Sequence, residues 1–454
     1  VIRLILADLR TDVASRLGPF VTIVGAALVL AFGISMMETA TTLSSSSGAM
    51  VSMAMTTLVG SVSTSMLVVG AVSKLAIDLR RQEFAAWRLA GVQPRAVRNV
   101  ILGQSVVVAL AGSVLGAALA TQVVPGLLDA MLSSTSTMTF SMRFGPASAI
   151  ADVLVVTVLV LASSIPAARR ASRTEPLTAL RESTTPPARM TWRRWLVVVA
   201  LLGVVALMVQ SMGTQDLSKI IGTSIGLSSI LVLVAAALGP LLFPATVRLW
   251  TALLPARLSP AWYLARHNAR HDMGLSTAAV TPLMISVALI GGFFAAIETA
   301  TNTISITHEL TMDYFTGDSG SILVNLSLLI GPPIALSLLG SAVVVLVAGR
   351  DRYRRNALLR AAGATDGTII ASSIGEAAVH AVTALLLGTG VVAVATTTAA
   401  CAISLGRGIV VLPSIPVAEP GAVFGFGLVL VLAATLLPTL HSLRTPVPRA
   451  LAAE

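Results

Sequence analysis

Ten apolar stretches run through the 454-residue chain, at 17–37, 56–77, 100–124, 148–166, 195–212, 222–247, 276–297, 327–349, 368–400 and 421–440. Most are close to the ~20 residues that a helix needs to cross a ~30 Å hydrocarbon core, 368–400 being longer, and runs of such length with so few charges read as membrane spans. Charged residues make up 11% of the chain and the mean hydropathy is +0.90, whereas soluble domains carry roughly 25% charged residues. The expected fold class is an all-α integral membrane protein with about ten transmembrane helices.

The chain is also duplicated. After the second apolar stretch it reads RRQEFAAWRLAG at 80–91, and after the eighth it reads RYRRNALLRAAG at 352–363. Arg80, Ala85, Arg88, Ala90 and Gly91 coincide with Arg352, Ala357, Arg360, Ala362 and Gly363. Upstream, Arg10, Asp12 and the triplet Glu38-Thr39-Ala40 return at one common offset as Arg270, Asp272 and Glu298-Thr299-Ala300. Downstream, Pro166, Arg173-Thr174 and Ala179-Leu180 are answered by Pro438, Arg444-Thr445 and Ala450-Leu451. Two equivalent four-span halves, 1–182 and 256–454, therefore flank a linker and central two-span pair at 183–255.

Orientation follows from the basic residues, which collect on the cytoplasmic side. With the N-terminus inside, only Arg143, Lys219 and Arg407 of the 30 Lys and Arg fall in outer segments. Both termini are expected in the cytoplasm of a bacterial cell, and the first apolar run reads as a retained span. The net charge of +10 reflects this asymmetry and anionic lipid headgroups; it does not imply nucleic acid. The single cysteine, Cys401, excludes an intramolecular disulfide.

The outer segments are too short for a folded domain. Two inner segments, 78–99 and 350–366, mix charges with apolar residues at helical spacing, so that each offers one face to a partner. In the first, Phe84, Trp87, Leu89 and Val92 supply apolar contacts, and Arg80, Arg81, Glu83 and Arg88 supply charge. The second carries Arg352, Arg354, Arg355 and Arg360. Gly91 and Gly363 suit a helix C-terminus or a sharp turn. Within the membrane, Gly112 and Gly116 form a Gly-x-x-x-Gly step that permits close helix approach.

A span, an Arg-rich amphipathic segment ending Arg-x-x-Gly, two further spans and then PAARRASR at 166–173 with EPLTALR at 175–181 resemble the FtsX-like permease family. These are the membrane subunits of mechanotransmission, or type VII, ABC transporters. Both halves resemble the four-span unit, and the 4+2+4 order is similar to that of the antimicrobial-peptide resistance permeases. Three departures stand out. The outer segment between spans seven and eight runs only from 299 to 325, Glu83 becomes Arg355, and His441-Ser442 replaces Arg169-Arg170. The resemblance implies that 80–98 and 352–366 are coupling helices for ATPase subunits, two copies per chain. It also implies export, or extraction from the outer leaflet, of a hydrophobic or amphipathic substrate such as an antimicrobial peptide, lipid or drug. An alternative is an ATP-driven signalling scaffold acting on an outer partner such as a cell-wall hydrolase.

No enzymatic activity is expected of the chain itself. Its only lysines, Lys74 and Lys219, both follow serine, so no Gly-Lys phosphate loop exists, and ATP with Mg belongs to partner subunits. No metal site is expected, since His267 and His271 are the only close histidine pair and zinc needs three or four ligands. Two further candidates remain. Glu38 and Glu298, at the outer ends of spans one and seven, could form an anionic mouth with Glu309, Asp313 and Asp318. Glu376 and His380, one turn apart in the ninth stretch, read either as a proton-responsive pair or as a polar contact with the coupling helix.

Overall fold

The computed structural model describes residues 13–42, 47–132, 144–173, 190–212, 217–255, 259–271, 273–307, 319–414, 416 and 418–444. The regular elements among them are all helices. In chain order they are α1 (Val13–Thr42), α2 (Ser47–Leu79), α3 (Arg81–Leu89), α4 (Pro94–Leu132), α5 (Pro146–Arg173), α6 (Trp192–Met212) and α7 (Leu217–Ala237). There follow α8 (Gly239–Ala252), α9 (Pro260–His271), α10 (Met273–Thr307), α11 (Ser319–Ala361), α12 (Asp366–Arg407) and α13 (Ala418–Arg444). Among the described residues nine helices are long and apolar enough to cross a membrane, and the bent pair α7–α8 accounts for a tenth span.

That pair departs from the expected single span at 222–247. The chain bends by 82° between the two helices, because Pro240, in the first turn of α8, lacks a backbone N–H and cannot continue the ladder. The 21 residues of α7 rise about 31 Å at 1.5 Å per residue, enough to cross alone. α8 then turns aside and packs on α9 and α12.

Duplication in sequence becomes pseudo-symmetry in packing. A Cβ on Gly116 of α4 would come 2.5 Å from Ala27 Cβ and 2.8 Å from the Val24 carbonyl of α1. On Gly388 of α12, the equivalent position of the second half, it would come 2.7 Å from Val287 Cγ1 and 3.1 Å from the Met284 carbonyl of α10. Val287 and Met284 are the counterparts of Ala27 and Val24, so both halves use one small-residue seam. The halves meet where α2 crosses α11, with Val68 against Gly340, themselves equivalent positions of the repeat. The central pair breaks the symmetry: α7 packs on α2, α10 and α12, with α6 outside it.

Candidate functional site

On the arginine-rich face, the first half turns sharply between α2 and α4. Helix α2 ends at Leu79, Arg80 takes φ −90° and ψ 10°, and the nine-residue α3 begins. Its apolar side folds back onto its own bundle. Phe84, 2% exposed, packs with Ile77 of α2, Val97 and Ile101 of α4, and Ala167, Ala168 and Ala171 of α5. Trp87 joins the same cluster and meets Phe84 edge to face at 5.6 Å. This corrects the sequence reading of Phe84 as a residue facing a partner, whereas Trp87 is half-buried and keeps part of its surface outward. The spacing of apolar residues locates the apolar side of a helix, but here the bundle's own α4 and α5 take it. What points outward is Gln82, Ala86, Leu89 and Ala90, with Leu89 56% exposed.

Both elbows end in the same motif. The Val92 N–H donates to the Trp87 carbonyl (3.0 Å) and the Gly91 N–H to the Arg88 carbonyl (3.1 Å). In the second half Ala364 donates to Leu359 (2.9 Å) and Gly363 to Arg360 (3.0 Å). These are the two bonds of a Schellman cap, which puts the residue after the cap in the left-handed region. Gly91 and Gly363 sit at φ 91° and 93°. No atom lies within 4 Å of a Cβ built on either, so conformation and not space requires glycine here.

The second elbow is wired differently. α11 runs unbroken for 43 residues through the span and the Arg-rich segment, carrying Arg352 and Arg354 within it. Arg355 donates to the Glu376 carboxylate of α12 at 3.3 Å, with the Glu376 side chain 5% exposed. In the first half Arg80 instead makes a two-pronged pair with Glu83 at 2.9 Å and reaches Gln104 at 3.4 Å. Glu83 corresponds to Arg355 and Gln104 to Glu376, so the carboxylate has moved from elbow to span and found a different arginine. Asn356, at the position of Phe84, donates to Ser442 Oγ of α13 at 3.0 Å. Arg360 reaches Asp366 (3.4 Å) and the Leu443 carbonyl (3.3 Å). His380 lies buried one turn beyond Glu376. The exposed tip here is Leu358, Ala361 and Ala362.

At the opposite face the repeated Glu-Thr-Ala triplet has a shared use. Glu38 accepts from the Gly145 N–H (2.9 Å) and Ser148 Oγ (2.6 Å), clasping α1 to the start of α5. Glu298 accepts from Ser414 Oγ, just before α13. In each half a carboxylate closing the first span ties down the entry to the fourth, where a helix N-terminus favours negative charge. Glu309, Asp313 and Asp318 lie outside the described residues.

Sequence reasoning passed over Asp152. It is fully buried on the inward side of α5 with Val156, Val160 and Ser164, and neither carboxyl oxygen has a hydrogen-bond partner among the described residues. An acid within an apolar stretch was the available signal, since such groups are costly in a span and often functional. The histidine pair is stacked: Tyr263, His267 and His271 follow one another along α9 at 6.1 and 6.0 Å. Beside them Arg270 joins α9 to α8 through Thr251 Oγ1 (2.7 Å) and the Arg248 carbonyl (3.2 Å). Burial, then the charges of Arg266 and Arg248, hold its pKa below the usual arginine value.

Among curated proteins none matches the chain. The family model for the FtsX-like permease C-terminal region matches twice, at residues 55–176 and 328–447, one copy in each half. Each match covers the second span, the elbow and the two spans that follow, and together they span more than half of the chain. On that basis the chain belongs to the FtsX-like permease family, as the membrane subunit of an ABC transporter working with ATPase partners.

Proposed function

We propose that two copies of an ABC ATPase, each binding ATP and Mg, dock on the two elbows of a single chain and move its halves against one another to carry a hydrophobic or amphipathic molecule outward. The observation that carries this reading is the matched pair of Schellman-capped elbows at equivalent positions of the repeat, each with small and apolar tip residues outward and arginines around them. The arginine-rich face lies in the cytoplasm under the positive-inside rule, which puts both elbows within reach of soluble subunits. Lateral loading from lipid is supported by the asymmetry of the central pair. α7 packs on both α2 and α10, across one seam between the halves. Among the described residues no helix takes the matching place beside α1 and α11.

Co-expression with an ABC ATPase subunit from the same genome, followed by size-exclusion chromatography with light scattering, tests the docking. The expected complex has two ATPase copies per permease and is lost in Leu89→Asp/Leu358→Asp while the permease stays monodisperse. A complex that survives the double substitution, or a folded permease that binds no ATPase, would sink the proposal.

A further inference from the structure

Helix α8 carries two apolar faces. Gly239, Phe243, Val247 and Thr251 recur every fourth residue and are buried, with Val247 packed among Ala269 of α9, Val379 of α12, Trp250 and Trp262. On the opposite side Leu241, Ala245 and Leu249 recur at the same spacing and are exposed, and Leu253 follows just beyond the helix. Leu249 is 73% exposed and Leu253 82%. Residues four apart share one face of a helix, so these side chains form a continuous stripe. Covering apolar surface gains about 25 cal/mol per Å², and such a stripe is stable against an apolar neighbour.

The bend before α8 fixes where that neighbour lies. Over its 21 residues α7 rises about 31 Å and so spans the ~30 Å hydrocarbon core by its last turn. Under the positive-inside rule this end is cytoplasmic. α8 leaves it at 82° and therefore runs along the inner surface of the bilayer. Aromatic residues mark the same level: Trp192 and Trp195 open α6, Trp250 lies in α8, and Trp262 and Tyr263 lie in α9. Tryptophan and tyrosine gather at membrane–water interfaces. Arg248 is exposed beside Leu249, and its long stem lets the charge stay at the headgroups.

We infer that α8 lies flat in the inner leaflet, with Leu241, Ala245, Leu249 and Leu253 seated among the upper acyl chains of the lipids, as an amphipathic interfacial helix. Its buried face ties this footing to the second half: Trp250 Nε1 donates to Thr383 Oγ1 of α12 at 3.0 Å, and Arg270 joins α8 to α9. The central pair has no repeat partner, so the footing belongs to the second half. Seating in lipid does not depend on ATPase docking, and failure of one leaves the other standing.

Depth-dependent fluorescence quenching of the full chain in nanodiscs of phosphatidylethanolamine and phosphatidylglycerol provides the test. Cys401 is exposed and would itself be labelled, so Leu249→Cys, Leu253→Cys and Leu358→Cys are each made together with Cys401→Ser and carry one fluorophore. Quenching by aqueous iodide is compared with quenching by lipids bearing a nitroxide near the headgroup or near the chain end. The labels at Leu249→Cys and Leu253→Cys are expected about 5–10 Å below the headgroup boundary and shielded from iodide. The label at Leu358→Cys, on the tip of the second elbow, is expected to show the reverse. Iodide quenching at both α8 sites as strong as at Leu358→Cys would put the stripe in the cytoplasm and overturn the inference. Shielding from iodide and nitroxide alike would assign the stripe to a partner protein or a second copy, and a depth at the bilayer centre would make α8 part of a span. Either result overturns it as well.

Discussion

The two elbows share a backbone ending and differ in almost every side-chain contact that holds them. In the first, the chain breaks at Arg80, the ion pair is local (Arg80 with Glu83, three residues apart) and the anchor is an aromatic ring, Phe84, sunk among α2, α4 and α5. In the second, the helix is continuous, the ion pair spans 21 residues to α12, and the anchor is a hydrogen bond from Asn356 to α13. Duplication preserved the geometry of a cap and left the contacts free to drift, provided that each half kept one carboxylate and one inward anchor. A local ion pair leaves α3 tied to its bundle mainly by apolar burial, which is non-directional. A pair reaching into the next span fixes both direction and distance.

The anchors separate the halves most sharply. Phe84→Ala removes a fully buried ring and is expected to cost about 3 kcal/mol, read as a fall in the midpoint of fluorescence-monitored thermal unfolding in one detergent. A cost below that of Asn356→Ala would show that the first elbow is held elsewhere, by Arg80 and Glu83.

The ion pairs come next. Glu376→Gln removes the charge to which Arg355 donates at the edge of a span, and about 2 kcal/mol is expected to be lost. The Glu83 side chain is 39% exposed, so Glu83→Gln should cost less than about 1 kcal/mol. Equal losses in the same unfolding assay would mean that the pair to α12 is no more than a surface bridge, and the contrast between the elbows would fall.

A change of opposite sign is expected at Asp152. Its counterpart in the repeat is Phe424, so the second half places an apolar ring where the first buries a carboxyl whose oxygens find no partner among the described residues. Replacing an unsatisfied buried polar group with an apolar one relieves about 1–3 kcal/mol. Asp152→Leu should therefore raise the unfolding midpoint, and if transport falls at the same time the acid is retained for function. A lowered midpoint would show that the carboxyl has a structural role that its surroundings do not reveal.

Much of this was readable in one dimension, and the reasons are physical. Span length is fixed by bilayer thickness and composition, so the crossings and the all-helical class followed from apolar runs alone. The glycines closing each elbow were visible because only glycine adopts the left-handed turn at no cost. The bend after α7 was signalled by Gly239-Pro240 but was submerged in an unbroken apolar run. What the sequence concealed were partnerships between distant residues. Glu38 was visible as half of a repeated triplet, but its donors lie 107 and 110 residues away. Likewise the apolar side of α3 was legible in the spacing of Phe84 and Trp87. Whether a partner or the chain itself would cover it depends on where α4 and α5 end.

The smallest expected effect concerns the hydrogen bond that replaces a ring. Asn356 Nδ2 and Ser442 Oγ are both buried at 3.0 Å, and Ser442 also donates to the Thr439 carbonyl at 2.7 Å within its own helix. Removal of either partner should cost about 1 kcal/mol. Because each loss leaves the same bond unmade, Asn356→Ala/Ser442→Ala should cost little more than either single change, giving a coupling near ~1 kcal/mol in a double-mutant cycle. Strict additivity would mean that Ser442 is held by its own helix and that Asn356 contributes nothing through it. The second elbow would then be held by Glu376 together with the contacts of Arg360 to Asp366 and the Leu443 carbonyl, and its most distinctive tie would be the carboxylate that the first half keeps on the elbow itself.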